Sequence, residues 1–191
     1  GSSSENCEIE LINTTTKALF NIGLKNFKVK INDRGLLNTI LTKTGFAEEE
    51  LASVCITLDK LDKIGLDGVR NELTEKGFAA SAIDNLSSLF EKQPVTLDAV
   101  KELCGENEAI DRLENILSKV DKISDGKYTV VYDITLVRGQ GYYTGTVFEV
   151  ESIDFKGAIA GGGRYDNLIG KFIGESVPAV GFSIGFERIF S

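Results

Sequence analysis

The sequence predicts an α+β fold: a helical front, a glycine-rich back of antiparallel strands, and a small all-helical subdomain between them. Three observations predict it. Apolar residues recur at helical spacing through most of the first 126 of the 191 residues. Residues 127–191 hold 11 of the 20 glycines and several β-branched and aromatic runs. Charge divides at the same place. The first 126 residues carry 15 Lys+Arg against 22 Asp+Glu, whereas the rest carry 6 against 7.

In order, Ile9, Ile12, Thr16 and Leu19 form a helical stripe that Gly23 ends. Phe27, Val29 and Ile31 alternate with Lys28 and Lys30, the pattern of a strand with one buried face. Leu36, Leu37, Ile40 and Leu41 begin a second helix, closed by Gly45. Leu51, Val54, Cys55, Leu58 and Leu61 make the next stripe, with Gly65 as its stop. Val69 and Leu73 lead to Gly77, and Ile83, Leu86, Leu89 and Phe90 lead to Pro94. Thr96 is placed to cap Leu97–Leu103, and Ile110, Leu113, Leu117 and Val120 complete the helices. Strands follow at 128–133, 142–151 and 178–184. A third strand at 158–160 is expected to break into a loop at Gly161-Gly162-Gly163. A helix starts near Gly185. The expected division is a core segment at 1–45, a helical subdomain at 46–123 and a second core segment at 124–191. Gly1-Ser2-Ser3-Ser4 reads as a linker or cloning scar.

Composition removes several chemistries. Hydrophobic residues make up 42% and charged residues 26%, an ordinary globular balance. The net charge of −8 argues against a general electrostatic grip on nucleic acid. Histidine is absent, which excludes a histidine base, nucleophile or metal ligand from these residues. Cys7, Cys55 and Cys104 lie too far apart for a CxxC motif and read as free thiols on helices. The odd count favours a reducing cytoplasm. No apolar run approaches the roughly 20 residues of a membrane helix.

Two stretches can carry chemistry. In Val137-Arg138-Gly139-Gln140-Gly141-Tyr142-Tyr143-Thr144-Gly145, glycines let the backbone approach a ligand and paired tyrosines offer hydrogen-bonding walls. A glycine-bulged strand with two core-edge tyrosines is the bland alternative. In Gly161-Gly162-Gly163-Arg164-Tyr165-Asp166, three glycines can adopt positive φ and turn N–H groups toward a phosphate. A tight turn with a surface arginine explains them equally well. Neither stretch is a GxGxxG or Walker sequence. Beyond them, Arg188 sits where a guanidinium could reach a triphosphate.

Taken together these segments resemble the histidyl-tRNA synthetase family. Gly181-Phe182-Ser183-Ile184-Gly185-Phe186-Glu187-Arg188 resembles motif 3 of class II aminoacyl-tRNA synthetases. Residues 136–149 resemble the histidine-specific motif, and Ala160–Asp166 the second histidine-binding stretch. Leu58-Asp59-Lys60-Leu61-Asp62-Lys63-Ile64-Gly65 is similar to the start of the family's helical insertion. The resemblance implies part of a class II antiparallel sheet with helices. It implies a ligase that joins histidine to ATP, with Mg2+ as the nucleotide's companion, and passes the product to tRNA(His). Arg138 would touch the α-phosphate and the histidine carboxylate. Tyr142 and Tyr143 would line the histidine pocket, with Tyr165 against the imidazole and Gly161, Gly162 and Gly163 giving room. Arg188 and Gly185 would serve ATP, and no metal site is expected in the protein itself. Family members often have Leu-Asp where Gln140-Gly141 stands.

The resemblance also sets expectations about extent. Motif 1, motif 2 and an anticodon-binding domain are not found, so the chain is expected to be a middle slice of a homodimeric cytoplasmic enzyme. That slice should be inactive alone and inclined to self-associate. The insertion would embrace the tRNA acceptor arm in the family, but the acidic front shows no basic stripe, and a purely structural insertion stays open. Two rivals share the fold: the synthetase-like regulatory subunit of ATP phosphoribosyltransferase, and a synthetase-like domain of a tRNA-sensing kinase.

Overall fold

A computed structural model of the chain describes residues 1–92, 94–137, 141–154 and 157–189. The first helix, α1 (Asn6–Asn21), buries Ile9, Ile12, Thr15, Thr16 and Leu19 on one face. Gly23, at φ 93°, turns the chain out of it, as its position in the sequence predicts. The first strand, β1, is Phe27–Asp33. It ends on a buried carboxylate that starts the next helix, α2 (Arg34–Thr44): the Gly35 and Leu36 N–H groups donate to Asp33 Oδ1 at 2.9 and 3.1 Å. Burial raises the Asp33 carboxyl above its ordinary range, against the pull of these N–H groups and Arg112. Gly45, at φ 114°, closes α2.

After a 3-10 turn at Glu48–Glu50 come α3 (Leu51–Leu58), α4 (Leu61–Glu75), α5 (Ala80–Glu91), α6 (Leu97–Cys104) and α7 (Glu108–Ser124). Gly65 was expected to stop a helix. It does: with φ 69° and ψ 175° it breaks the helical run within α4, and a second helical run follows across the kink. The stripe is also interrupted earlier, because α3 ends at Leu58 and α4 begins at Leu61. Thr96 does cap α6, accepting from the Ala99 N–H at 3.2 Å. Asn107 caps α7 through the Ala109 N–H. Across α3–α5 the buried residues include Val54, Cys55, Leu58, Val69, Leu73, Ile83, Leu86 and Phe90. Helix α7 then returns to pack on α1, β1 and the next strand.

The remaining elements are β2 (Thr129–Tyr132), β3 (Thr146–Ser152), β4 (Gly157–Arg164), α8 (Gly170–Ile173), β5 (Val180–Ile184) and α9 (Phe186–Ile189). The five strands form one sheet in the order β2-β1-β3-β4-β5. Its back was expected to be wholly antiparallel. Three pairings are, but β2 runs parallel to β1. The long helical crossover from α2 to α7 permits this, since parallel neighbours need such a connection.

Alternation gives the sheet two unlike faces. Phe27, Val29 and Ile31 of β1 and Phe148 and Val150 of β3 are fully or almost fully buried, and α1, α2 and α7 pack on the sheet. Phe20 of α1, Phe27 and Tyr128 add a ring cluster, with centroids 5.0 to 6.2 Å apart. The opposite face carries Lys28, Lys30, Glu149 and Glu151 at one end. Lys30 pairs with Glu151 at 3.0 Å and Asp133 at 3.1 Å. Burial pulls the Lys30 ammonium down, but these carboxylates outweigh it and hold it at about 12. Farther along, this face becomes bare glycine. No described helix is long and apolar enough to cross a membrane.

Candidate functional site

The glycine patch follows from strand register. Gly161 stands opposite Glu149 on one side and Ser183 on the other, and Gly163 stands between Val147 and Gly181. Directly opposed residues point to the same face, so Gly161, Gly163 and Gly181 share the face of Lys30 and Glu149. The expected break into a loop at Gly161 does not occur: β4 runs through all three glycines to Arg164. None of them has positive φ. Gly162, Gly163 and Gly181 are places of close approach. A methyl on Gly163 would lie 2.7 Å from the Thr146 carbonyl oxygen and 3.0 Å from the Tyr143 ring. One on Gly181 would lie 2.5 Å from the Tyr165 hydroxyl. One on Gly162 would overlap the Gly181 carbonyl. Backbone N–H groups paired into a sheet are not free to cradle a phosphate, so that part of the expectation is corrected.

Three tyrosines gather over this floor. Tyr142 and Tyr143 lie in the turn before β3, not within the strand as expected, because the strand begins only at Thr146. Their ring centroids are 4.5 Å apart, and Tyr142 meets Tyr165 edge-on at 6.1 Å and 87°. Tyr165 follows β4, its N–H donating to the Ala179 carbonyl at 2.8 Å. Two adjoining clefts of about 280 Å³ each result. They share Tyr142, Tyr143, Gly161 and Ser183. One extends to Tyr165, Gly181 and Leu168, the other to Ala158, Gly185 and Arg188.

Arg188 is fixed at the far end of the second cleft. Its Nη1 donates to the Ala158 carbonyl at 2.6 Å, and its backbone N–H donates to the Gly185 carbonyl at 3.1 Å. Gly185 is itself tied to β4, donating to the Ile159 carbonyl at 2.8 Å. The guanidinium remains exposed, with most of its five N–H groups unspent. Arg188 is the one charged residue among the described residues lining the two clefts. A ligand with a flat, hydrogen-bonding end and an anionic end matches this arrangement.

The structure therefore brings together Tyr142, Tyr143, Gly161, Gly162, Tyr165, Gly185 and Arg188, with Gly163 beneath the Tyr143 ring. Arg138 lies outside the described residues. Sequence reasoning missed Ser183 and the Ala158–Ala160 wall. It also gave Arg164 a surface position as one alternative, whereas the residue is buried against Glu8. A signal existed: Glu8 lies one turn before Ile12 on the apolar stripe of α1, and a buried carboxylate there needs a cation. Nothing in the sequence says which cation, 156 residues away. A larger groove of about 520 Å³ lies beside α2, lined by Arg34, Asn38 and Lys43 among others, and contains none of the residues singled out above.

With this geometry in hand, comparison with known proteins is decisive. The family model described as histidyl-tRNA synthetase matches residues 1–189. This chain belongs to the histidyl-tRNA synthetase family. A histidine–tRNA ligase of Leifsonia xyli subsp. xyli is 40% identical over 99% of the chain and 46% of that protein. The crystal structure of histidyl-tRNA synthetase from Nostoc sp. PCC 7120 superposes with a TM-score of 0.86 at 28% identity, covering 99% of this chain and 47% of that one. A Bacillus halodurans structure described as an ATP phosphoribosyltransferase regulatory subunit/histidyl-tRNA synthetase has a TM-score of 0.81 at 24% identity, over 99% of this chain and 50% of that one. That last likeness speaks to fold alone. The chain spans about half the length of the curated relatives it matches.

Proposed function

We propose that the two clefts hold histidine and the phosphate end of ATP, and that the protein bearing this chain is a histidine–tRNA ligase. In the proposed reaction a carboxylate oxygen of histidine attacks the α-phosphorus of ATP. The new bond makes a mixed anhydride as pyrophosphate leaves, and a 3′-terminal ribose hydroxyl of tRNA(His) then attacks its carbonyl carbon, taking the histidyl group as AMP leaves. Such a reaction is accelerated by positioning and charge, without a protein nucleophile. That suits a cleft of tyrosines, glycines and one guanidinium in a chain with no histidine.

The observation carrying the proposal is convergence. Tyr142 and Tyr143 come from one segment and Tyr165 from another, and all three meet over Gly161–Gly163, with Arg188 at the opposite end. The three rings take the imidazole side, with Tyr165 against it. Arg188 takes the terminal phosphate, and Gly185 lets the nucleotide approach. Arg138 is assigned to the α-phosphate and the histidine carboxylate. Mg2+ enters with ATP as co-substrate. The nucleotide's own phosphates are its proposed ligands. The cytoplasm is the proposed location, and a homodimer the proposed assembly.

Arg188 and the proposed Arg138 are only two cations against a triphosphate, which is too little charge. The 191-residue chain by itself is therefore proposed to bind ATP weakly and to be inactive. Histidine-dependent pyrophosphate exchange above trace rate would contradict that. The synthetase-like regulatory subunit of ATP phosphoribosyltransferase, which shares the fold, is the second reading. It requires the three tyrosines but no phosphate grip, so the exposed Arg188 favours the ligase. The functional proposal is tested by titrating the isotopically labelled chain with single amino acids and following tyrosine ring and glycine amide signals by NMR. Histidine should move Tyr142, Tyr143, Tyr165 and Gly161–Gly163, whereas phenylalanine and glutamine should not. Equal responses to all three would remove the proposed specificity.

A further inference from the structure

Arg164 is the most heavily engaged side chain around the clefts, yet it lines neither of them. Its Nε donates to Glu8 Oε1 at 2.6 Å and its Nη2 to Glu8 Oε2 at 2.7 Å, a two-pronged pair with Glu8 wholly buried. The remaining donors reach Asp166 Oδ1 at 3.0 Å, the Ser2 carbonyl at 3.0 Å and the Ser4 carbonyl at 3.3 Å. Its hydrogen bonds to Glu8 raise the guanidinium above its ordinary value, so the arginine stays charged at any working pH.

The residue's backbone is engaged too. The Arg164 carbonyl accepts from the Thr144 N–H at 2.8 Å, next to Tyr143. Asp166 continues the network: its N–H donates to Thr144 Oγ1 at 3.1 Å, and its carboxylate accepts from the Ala179 N–H at 2.9 Å. Arg164 stands between Gly163, on which the Tyr143 ring rests, and Tyr165 itself. Its stem also passes Gly145, where an added methyl would lie 3.3 Å from Cδ. Arg164 and Asp166 together thus join four separate segments: the start of α1, the 144–145 turn, the end of β4 and the start of β5.

We propose that Arg164 and Glu8 form a positioning clamp for the amino-acid cleft, fixing the Tyr143 and Tyr165 rings relative to the glycine floor without touching substrate. The assignment of substrate rests on the reading above; the clamp itself does not. A lysine cannot replace the arginine here. Its single nitrogen cannot serve both Glu8 oxygens, Asp166 and two carbonyls. Glu8→Gln keeps the shape but removes the charge that orients the guanidinium. Either change should therefore loosen the two rings more than it loosens the fold.

The chain's five tyrosines make this measurable. Tyr142, Tyr143 and Tyr165 report the cleft, while Tyr128 and Tyr132 lie beyond it and serve as internal controls. Ring signals, melting temperature and histidine affinity are compared for the unaltered chain, Glu8→Gln and Arg164→Lys. The clamp predicts that in both variants the Tyr143 and Tyr165 signals move and Tyr128 and Tyr132 hold. It also predicts a histidine dissociation constant raised about tenfold. Arg164→Lys, which keeps the buried charge pair, should recover most of the melting temperature but not the ring signals. If Glu8→Gln fails to fold, Arg164→Lys still carries the test. Unchanged Tyr143 and Tyr165 signals, or all five tyrosines moving together, would overturn the clamp. Absence of any histidine response in the unaltered chain would instead overturn the functional reading and leave the ring comparison to decide the clamp.

Discussion

The glycine floor makes a graded prediction, because the atoms an added methyl would meet differ in kind. In Gly181→Ala the obstacle is the far end of Tyr165: the hydroxyl at 2.5 Å, Cε1 at 3.2 Å and Cζ at 3.3 Å, where ordinary contact begins near 3.4 Å. The hydroxyl must retreat by about 1 Å. At the end of a tyrosine side chain that is a swing of roughly 10°, well within one rotamer well. Gly181 has no positive φ, so the backbone accepts alanine without strain. The expected stability cost is about 1 kcal/mol, or a fall of about 2–4 °C in melting temperature for a chain this long. The cost to the cleft is larger, because the displaced ring is one of its walls. Histidine affinity should fall about tenfold, equivalent to about 1.4 kcal/mol. In Gly162→Ala the obstacles are the Gly181 carbonyl group and, at 2.7 Å, the Phe182 Cα. These are backbone atoms of a paired strand and cannot swing away. β4 and β5 must separate, at a cost of about 3 kcal/mol or more, or a fall of roughly 6–12 °C. Thermal unfolding by circular dichroism, with histidine titration of each folded variant, reads both numbers. Equal stability of the two variants, or an unchanged histidine affinity in Gly181→Ala, would refute the close-approach reasoning.

Other outcomes are expected. Arg188→Ala should weaken pyrophosphate or ATP binding by 10-fold or more, from loss of a charge-assisted contact of about 1.5–3 kcal/mol, while histidine binding changes less than twofold in the same NMR titration. Glu72 is held down to about 2 by its hydrogen bonds to Lys60, Lys76 and Thr57, so its contribution to stability is complete above about 4.5 and disappears as pH falls through about 2. The melting-temperature gap between the unaltered chain and Glu72→Gln should therefore be constant above pH 4.5 and close progressively below it. The sheet ends in β5, whose outer edge no described strand covers, and Phe172 and Ile173 of α8 are 82% and 58% exposed. Sedimentation velocity should show concentration-dependent association, and a strictly monomeric species at high concentration would count against it.

Much of the fold was legible because local signals were strong. Gly23 and Gly45 sit at positive φ where the apolar stripes end, and Thr96 caps as its position implies. The alternation of Phe27, Val29 and Ile31 with two lysines correctly set the buried face of β1. What failed was non-local. Gly65 does break the helical run, but a glycine cannot announce that a helix resumes beyond it. Gly161–Gly163 looks like a loop because three glycines permit one, whereas strands on both sides hold them extended. The direction of β2 depends on a crossover of nearly a hundred residues, which no local pattern encodes. The cleft was legible as two segments and, through the resemblance, as three tyrosines, but the wall of Ser183 and Gly181 opposite the glycines came only from the register of β4 with β5.

The central claim is that the two clefts hold the two reactants, histidine under the three tyrosines and the terminal phosphate of ATP at Arg188. Histidine and a non-hydrolysable ATP analogue, titrated in turn into the labelled chain and followed by NMR, test this most directly. The account predicts that histidine moves the signals of Tyr142, Tyr143, Tyr165 and Gly161, and that the nucleotide moves Gly185 and Arg188 along a separate saturation curve. Footprints that coincide, or a nucleotide footprint lying beside α2 and away from Arg188, would contradict it.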